Sequence, residues 1–442
     1  MNRPNILYLH SHDTGRYIQP MGHPVPTPNL QRLAEQGVLF RQAFCANPTC
    51  SASRAALLTG RYPHSCGMLG LAHRGFTLND YGQHILHTLR RAGYASYLSG
   101  VQHIAPRAET DRIGYDRVLT LDPARADAEA AAFLASNPTQ PFFLSAGFVE
   151  THRAFPEPDP EDDPRYVLPP ALFPDTPEIR RDWAAFRTIA RRLDRRVGVV
   201  LDALDRAGLA ENTLVICTTD HGIAFPFMKC NLTDHGIGVF LILRGPGGFT
   251  GGRVCDEMVS HVDVFPTLCE YLGIEPPPHL QGRSFLPWLA GASATHREEV
   301  FAEVNVHAAI EPMRCVRTRR WKYIRRWDPR RRAVLPNCDA GPAKTFLLER
   351  GWKDRPYDLE ELYDLVFDPM ERNNLAGRPQ HELALEDMRR RLNRWMQETD
   401  DPLRQGRLPL PAGVRMNPVD GLDPQDPAEI RETPTVWPDD YF

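Results

Sequence analysis

The sequence predicts an α/β fold built on a large, mainly parallel sheet, followed by a smaller α+β region. Short apolar runs of strand length recur at residues 6–9, 95–98, 142–148, 214–218 and 239–243. Between them, at 28–36, 83–92, 124–135 and 181–207, apolar residues fall three or four apart. In the last of these Ile189, Leu193, Val197, Val200, Leu201 and Leu204 mark one helix face. Strands alternating with helices build parallel sheets, and such sheets bind ligands beyond the carboxyl ends of their strands. The chemically notable clusters of this chain come just after its strand-like runs.

After about residue 295 the texture changes. Residues 300–304, 314–318 and 321–324 read as shorter antiparallel strands, and a helix follows at about 381–399. The expected division is 1–340 as a catalytic domain, 341–400 as a small C-terminal domain whose strands begin near 300, and 401–442 as a proline-rich tail. That tail reads either as an extended arm, over the surface or a partner subunit in a homo-oligomer, or as disordered.

Composition narrows the function classes. With 42% hydrophobic and 24% charged residues the chain is an ordinary globular one. A net charge of -4 excludes a general nucleic-acid binder, which carries a basic excess. The nine cysteines are odd in number and show no paired spacing, against a full disulfide framework. The N-terminus runs directly into a strand-like segment with no signal-peptide pattern, and no stretch reaches the ~18 apolar residues of a membrane span. The expectation is a cytoplasmic chain with no membrane partner.

Cys50 opens the run Cys50-Ser51-Ala52-Ser53-Arg54-Ala55-Ala56-Leu57-Leu58-Thr59-Gly60-Arg61. Its small residues and leucines favour a helix, placing Cys50 at the N-terminus, where free N–H groups and the helix dipole favour an anion. Arg54 adds a cation one turn on. A buried structural cysteine is the bland alternative. His12-Asp13 and Asp220-His221 each follow a strand-like run and lie close to Gly15 and Gly222. Taken singly each pair could cap a helix. Carboxylates from two strand ends that meet in space form a site for a divalent cation.

The twelve-residue run from Cys50 resembles the signature of the sulfatase family, Cys-x-Pro/Ala-x-Arg followed by Leu-Thr-Gly. The resemblance implies an alkaline phosphatase-like three-layer domain with a smaller C-terminal α+β domain. It implies that a formylglycine-generating enzyme oxidises Cys50 to formylglycine (3-oxoalanine), whose hydrate attacks sulfur, with Arg54 orienting it. It also implies a metal at Asp13, Asp220 and His221, with His12 where the family has an acid. Calcium is the family's usual ion, and the imidazole of His12 admits manganese, zinc or magnesium. Gly100-Val101-Gln102-His103 resembles the family's Gly-Lys-x-His, with Val101 replacing the lysine; His103 would expel sulfate from the intermediate. His152 would protonate the leaving atom, and Lys229 would contact sulfate.

Within the family the nearest likeness is to the sulfamidase (heparan N-sulfatase) branch. It rests on scattered stretches such as Gly67-Met68-Leu69-Gly70-Leu71, Ile223-Ala224-Phe225-Pro226 and Glu361-Leu362-Tyr363-Asp364. The implied reaction is hydrolysis of a sulfate ester or sulfamate, from a small-molecule or saccharide substrate, releasing inorganic sulfate. Three alternatives stand beside it. One is a phosphonate monoester or phosphodiester hydrolase on the same site, since Asp-His pairs occur in that branch too. The others are a non-catalytic binding protein and a cysteine-thiolate enzyme pairing Cys50 with His103 or His152.

Overall fold

The computed structural model describes residues 3–426 and 430–432. Nine strands form one sheet: β1 (Asn5–Ser11), β2 (Val38–Phe44), β3 (Ala95–Gly100), β4 (Arg117–Thr120), β5 (Phe142–Gly147), β6 (Thr213–Thr219), β7 (Gly238–Arg244), β8 (Arg253–Cys255) and β9 (Val259–Ser260). Their order is β4-β3-β5-β1-β6-β7-β2-β8, with β9 also paired to β2. The run from β4 to β6 is parallel throughout. Only β7 is reversed against its neighbours β6 and β2.

Side chains alternate across a strand, so one sheet can serve two cores. Ile6 and Tyr8 of β1 enter one core, while Leu7 and Leu9 enter the other. The second core is roofed by helices α1 (Pro28–Gln36), α3 (Ala126–Ala135) and α4 (Pro177–Arg206); the first holds α2 (Cys50–Thr59) and α5 (Val264–Leu272). This is the expected three-layer α/β architecture.

The apolar pattern did not reveal β2. Arg41 and Gln42 interrupt it, and the pairing with β7 shifts register between Phe40 and Ala43 at that point. A bulge of this kind breaks the period-2 signal. The helical pattern at 83–92 narrows to Ile85–Arg91, and the one at 124–135 begins as a 3₁₀ turn before α3.

The smaller sheet is antiparallel, in the order β10 (Glu299–Val306), β11 (Ile310–Thr318), β12 (Trp321–Arg326), β13 (Glu360–Asp364). Its strands lie on both sides of residue 340. Helix α6 (Glu382–Glu398) packs Leu385, Met388, Leu392, Trp395 and Met396 inward, with Trp395 stacked on Phe301 of β10 at 5.1 Å. The described part of the tail folds back onto its own chain, burying Leu408, Leu410, Val414 and Met416. Arg74 ties it down by donating to Asn417 Oδ1 at 2.7 Å and to the Pro424 carbonyl at 2.5 Å. Residues 427–429 and 433–442, the rest of the segment read as an arm for self-association, lie outside the described residues. Among the described residues no helix is long and apolar enough to cross a membrane. All nine cysteines are free, eight of them buried.

A buried charge cluster joins the small sheet to the large layer. Arg314 is fully buried and donates to both carboxylate oxygens of Asp401, at 2.5 and 3.0 Å, and to the Val304 carbonyl. Glu303 lies 3.6 Å away and accepts from the backbone N–H of His64 at 2.7 Å. Removing one partner from such a cluster strands the others without compensation. Arg314→Leu is expected to destabilise the protein by about 3–5 kcal/mol. The urea midpoint of unfolding checks this, with Arg314→Lys recovering part of the loss.

Candidate functional site

The parallel register explains why distant residues meet. Ser11 of β1 pairs with Thr219 of β6, so His12-Asp13 and Asp220-His221 leave the sheet side by side. On the other flank His10 pairs with Gly147 of β5, and Gly147 with Gly100 of β3. The segments carrying His152 and His103 therefore emerge at the same edge. Asp13 adopts a left-handed backbone (φ 50°), uncommon for a non-glycine residue. It is held by its own N–H donating to Asp220 Oδ1 at 2.8 Å and by Thr151 Oγ1 donating to its carbonyl at 2.9 Å. Just beyond, Gly15 is also left-handed, and a Cβ there would sit 3.1 Å from the Gly222 backbone. The positive φ and this close approach suit glycine at position 15.

Cys50 begins α2, as its composition predicted, and every residue of that helix is buried. Gly60 ends it in a left-handed cap. Ser53 Oγ donates to the Asp220 carbonyl at 2.6 Å and fixes the helix against β6. One turn in, Arg54 donates to Asp220 Oδ2 at 2.9 Å and to the Ser11 carbonyl at 2.8 Å, and it lies 2.5 Å from His10 Nδ1. Cys50 Sγ faces His221 Nε2 at 3.4 Å and Asp13 Oδ1 at 3.9 Å. Burial raises the Cys50 thiol well above its ordinary pKa; Lys229 and Arg54 work against this, while Asp13 and Asp220 add to it. A thiolate nucleophile is thus disfavoured.

The acids are strongly countered. Burial works against the charge of Asp13, yet Lys229, His152 and His221 outweigh it and bring its pKa below the ordinary value. Burial opposes Asp220 in the same way, and His221 and Arg54 outweigh it. Lys229 Nζ lies 2.9 Å from Asp13 Oδ2 and 3.5 Å from His152 Nε2. His12 is buried and held neutral, first by burial and then by Arg54 and the neighbouring histidines. Its Nδ1 sits 3.3 Å from Asp220 Oδ2 without hydrogen-bond geometry.

One ligand atom each from His12, Asp13, Cys50 and Asp220 lies within 4.8 Å of the others. His221 Nε2 adds a nitrogen 3.3 Å from Asp13 Oδ1. Two carboxylates beside two imidazoles, one of them with an unpaired buried nitrogen, fit a divalent cation. A nitrogen of His103 lies within 4.8 Å of Cys50 Sγ and of a His12 ring nitrogen. All the residues singled out in the sequence therefore converge on one place.

Four neighbours had no sequence signal. His10 backs Arg54. His73 stacks on His103 at 5.4 Å, with Nδ1 3.1 Å from His103 Nε2. Asp339, in the loop between β12 and β13, lies 2.9 Å from Lys229 Nζ. His307, in the turn between β10 and β11, is buried, and nothing among the described residues bonds its Nδ1. Only His10 lies close to a catalytic or metal motif, two residues before His12.

The chain has counterparts among known proteins. The Sulfatase family model matches residues 4–130 and 127–274, and that of the N-sulphoglucosamine sulphohydrolase C-terminal region matches residues 221–345. Human N-sulphoglucosamine sulphohydrolase is 32% identical over 86% of this chain and 86% of its own length. Among solved structures, a 2-O GAG sulfatase superposes with a TM-score of 0.71 at 21% identity, covering 92% of this chain and 94% of that one. The phosphonate monoester hydrolase of Agrobacterium radiobacter gives 0.69 at 21% identity, covering 90% and 96%. At those identities the two structures show the fold alone. The family models and the human relative, matched to a chain whose Cys50 helix faces paired acids at the edge of a parallel sheet, show that this protein belongs to the sulfatase family of sulfuric ester hydrolases.

Proposed function

We propose that this site hydrolyses a sulfated saccharide, as sulfate ester or sulfamate, after maturation of Cys50 to formylglycine by a dedicated generating enzyme. The observation that carries the reading is Cys50 at a buried helix N-terminus, facing Asp13 and His221 with Arg54 one turn behind. The human relative, named for an N-sulfated amino sugar, supports a saccharide substrate. A cytoplasmic location belongs to the same proposal and is supported by the free cysteines.

His12, Asp13, Asp220 and His221 would hold one divalent cation. Calcium is the family's expectation; the two imidazoles make manganese, zinc or magnesium the competitors. When bound, such a cation neutralises sulfate oxygens and acidifies a neighbouring hydroxyl. Formylglycine supplies a gem-diol, a nucleophile that can regenerate itself where serine or cysteine cannot.

The remaining residues position groups and move protons. Arg54 is anchored by three partners, so it holds the Asp220 carboxylate and the start of α2 in fixed relation. Lys229 presents a permanent charge between Asp13 and His152; burial opposes that charge, and Asp13 and Asp339 more than offset it. His152 is partly open to solvent, its side chain 27% exposed, and it gives a proton to the departing oxygen or nitrogen. His103, oriented by His73, takes a proton from the hydroxyl at position 50.

A phosphonate monoester or phosphodiester substrate is the second reading. The likeness to the phosphonate monoester hydrolase fold supports it, and because such esters carry the same single negative charge as a sulfate monoester, the Asp220-His221 pair does not separate the two. Parallel rates on aryl sulfate, sulfamate and phosphonate esters separate the two, with sulfate release expected to dominate.

Three further outcomes follow from these roles. Peptide mass spectrometry of an active preparation should find formylglycine at position 50, with activity proportional to its fraction; full activity from intact thiol would end the proposal. Asp13→Asn and Asp220→Asn should each lose most bound metal and about 10²-fold or more in turnover while remaining folded; metal analysis beside calorimetry reads both. His152→Ala should cost about 10²–10⁴-fold on substrates with basic leaving groups and far less on nitrophenyl sulfate. His103→Ala should slow all substrates to a similar rate. Equal dependence of both variants on leaving-group pKa rules out this division.

A further inference from the structure

Three carboxylates crowd a site that must receive an anion. Asp13 and Asp220 belong to the cation cluster, but Asp339 does not. Its side chain is only 10% exposed, and Oδ2 stands 2.9 Å from Lys229 Nζ, whose charge Asp13 already shares. Burial opposes the charge of Asp339, while Lys229, His152 and His307 favour it, so the carboxylate remains ionised. Next to sulfate alone such a group weakens binding, since like charges at close range repel. Lys229 compensates it only in part, since Asp13 shares that charge, and a donor elsewhere in the substrate would supply the rest. Lys229 Nζ links Asp339, at 2.9 Å, to His152, at 3.5 Å, the residue assigned to the leaving atom, which puts the carboxylate on the leaving-group side.

The loop that carries it is rigidly mounted. Lys344 Nζ donates to the carbonyls of Leu335 at 2.9 Å, Cys338 at 2.6 Å and Leu422 at 2.6 Å. Ala343 N–H donates to Asp182 Oδ2 at 3.0 Å, and Asp182 forms a two-pronged pair with Arg153, the residue after His152. Gly341 lies so close to that guanidinium that a Cβ would come within 2.4 Å of it. The imidazole of His307, close enough to Asp339 to favour its charge, keeps a buried Nδ1 that nothing among the described residues bonds. A preorganised acceptor of this kind selects donors.

We propose that Asp339 is the specificity-determining residue of the leaving-group subsite: it accepts hydrogen bonds from a leaving group rich in N–H and O–H donors, an amino sugar, and rejects one bearing a carboxylate, a uronate. This deepens the sulfate-releasing reading and rests on it. The direct test compares binding of glucosamine and of glucuronate to matured wild type and to Asp339→Asn by calorimetry at neutral pH. Wild type should prefer glucosamine, and the variant should lose at least about tenfold of that preference. An unchanged ratio overturns the proposal.

A turnover arm uses N-sulfoglucosamine and nitrophenyl sulfate, whose leaving group carries no donor. In the variant the KM for the sugar should rise about tenfold more than that for the aryl ester. Equal fractional losses in both overturn the proposal and leave Asp339 as a support for Lys229. Asp339→Ser, assayed alongside, should shift both ratios in the same direction, and the melting midpoint shows that each variant is folded. The binding arm needs no turnover, so wild type that releases no sulfate counts against the reaction, while an unchanged sugar preference counts against Asp339.

Discussion

Two carboxylates held next to each other in the protein interior set the terms for the rest of this site. Asp13 and Asp220 are both buried, and the backbone N–H of one donates to the side chain of the other at 2.8 Å. Charges in such a place need partners, because desolvation removes several kcal/mol from each unless it is compensated. Arg54 and Lys229 supply fixed positive charge, and the imidazoles of His12 and His221 supply nitrogen ligand atoms. Arg54 can reach Asp220 only if α2 runs through the core. That demand explains a helix of alanine, serine and leucine with every residue buried.

The sheet does the work of assembly. Adjacent parallel strands end at the same edge, so consecutive βα loops in space need not be consecutive in sequence. The β3-β5-β1-β6 order brings together loops carrying His103, His152, Asp13 and Asp220. The small antiparallel sheet then adds a second wall. Its turn at His307 and its loop at Asp339 approach from above the strand ends, and the described part of the C-terminal tail braces both. Asn417 N–H donates to the Ala308 carbonyl at 2.8 Å, and the Leu422 carbonyl accepts from Lys344. A tail that reads as featureless in sequence therefore supports the loops that carry His307 and Asp339.

Much of this was legible from residue types and spacing. The alternation of strand-like and helical runs marks an α/β fold because burial on both sheet faces requires continuous apolar strands. The composition after Cys50 specifies a helix, and acidic pairs just after strands specify a cluster. The pattern failed at β2, where Arg41 and Gln42 sit at a register shift and break the strand signal. It also failed for the extent of the tail's packing, because leucines spaced by prolines carry no period.

The sequence by itself determined the local events: which segments become strands and helices, that Cys50 starts a helix, and that Asp13 and Asp220 lie at strand ends. Backbone propensity and apolar periodicity act over a few residues, and that is the range a sequence displays. Only the tertiary structure decided that Asp339 would meet Lys229, that Arg314 would bind Asp401, and that His73 would lie on His103. Those contacts join residues dozens to more than a hundred positions apart through strand order and loop path. Their partners are chosen by where the sheet delivers each loop, which no neighbouring residue encodes.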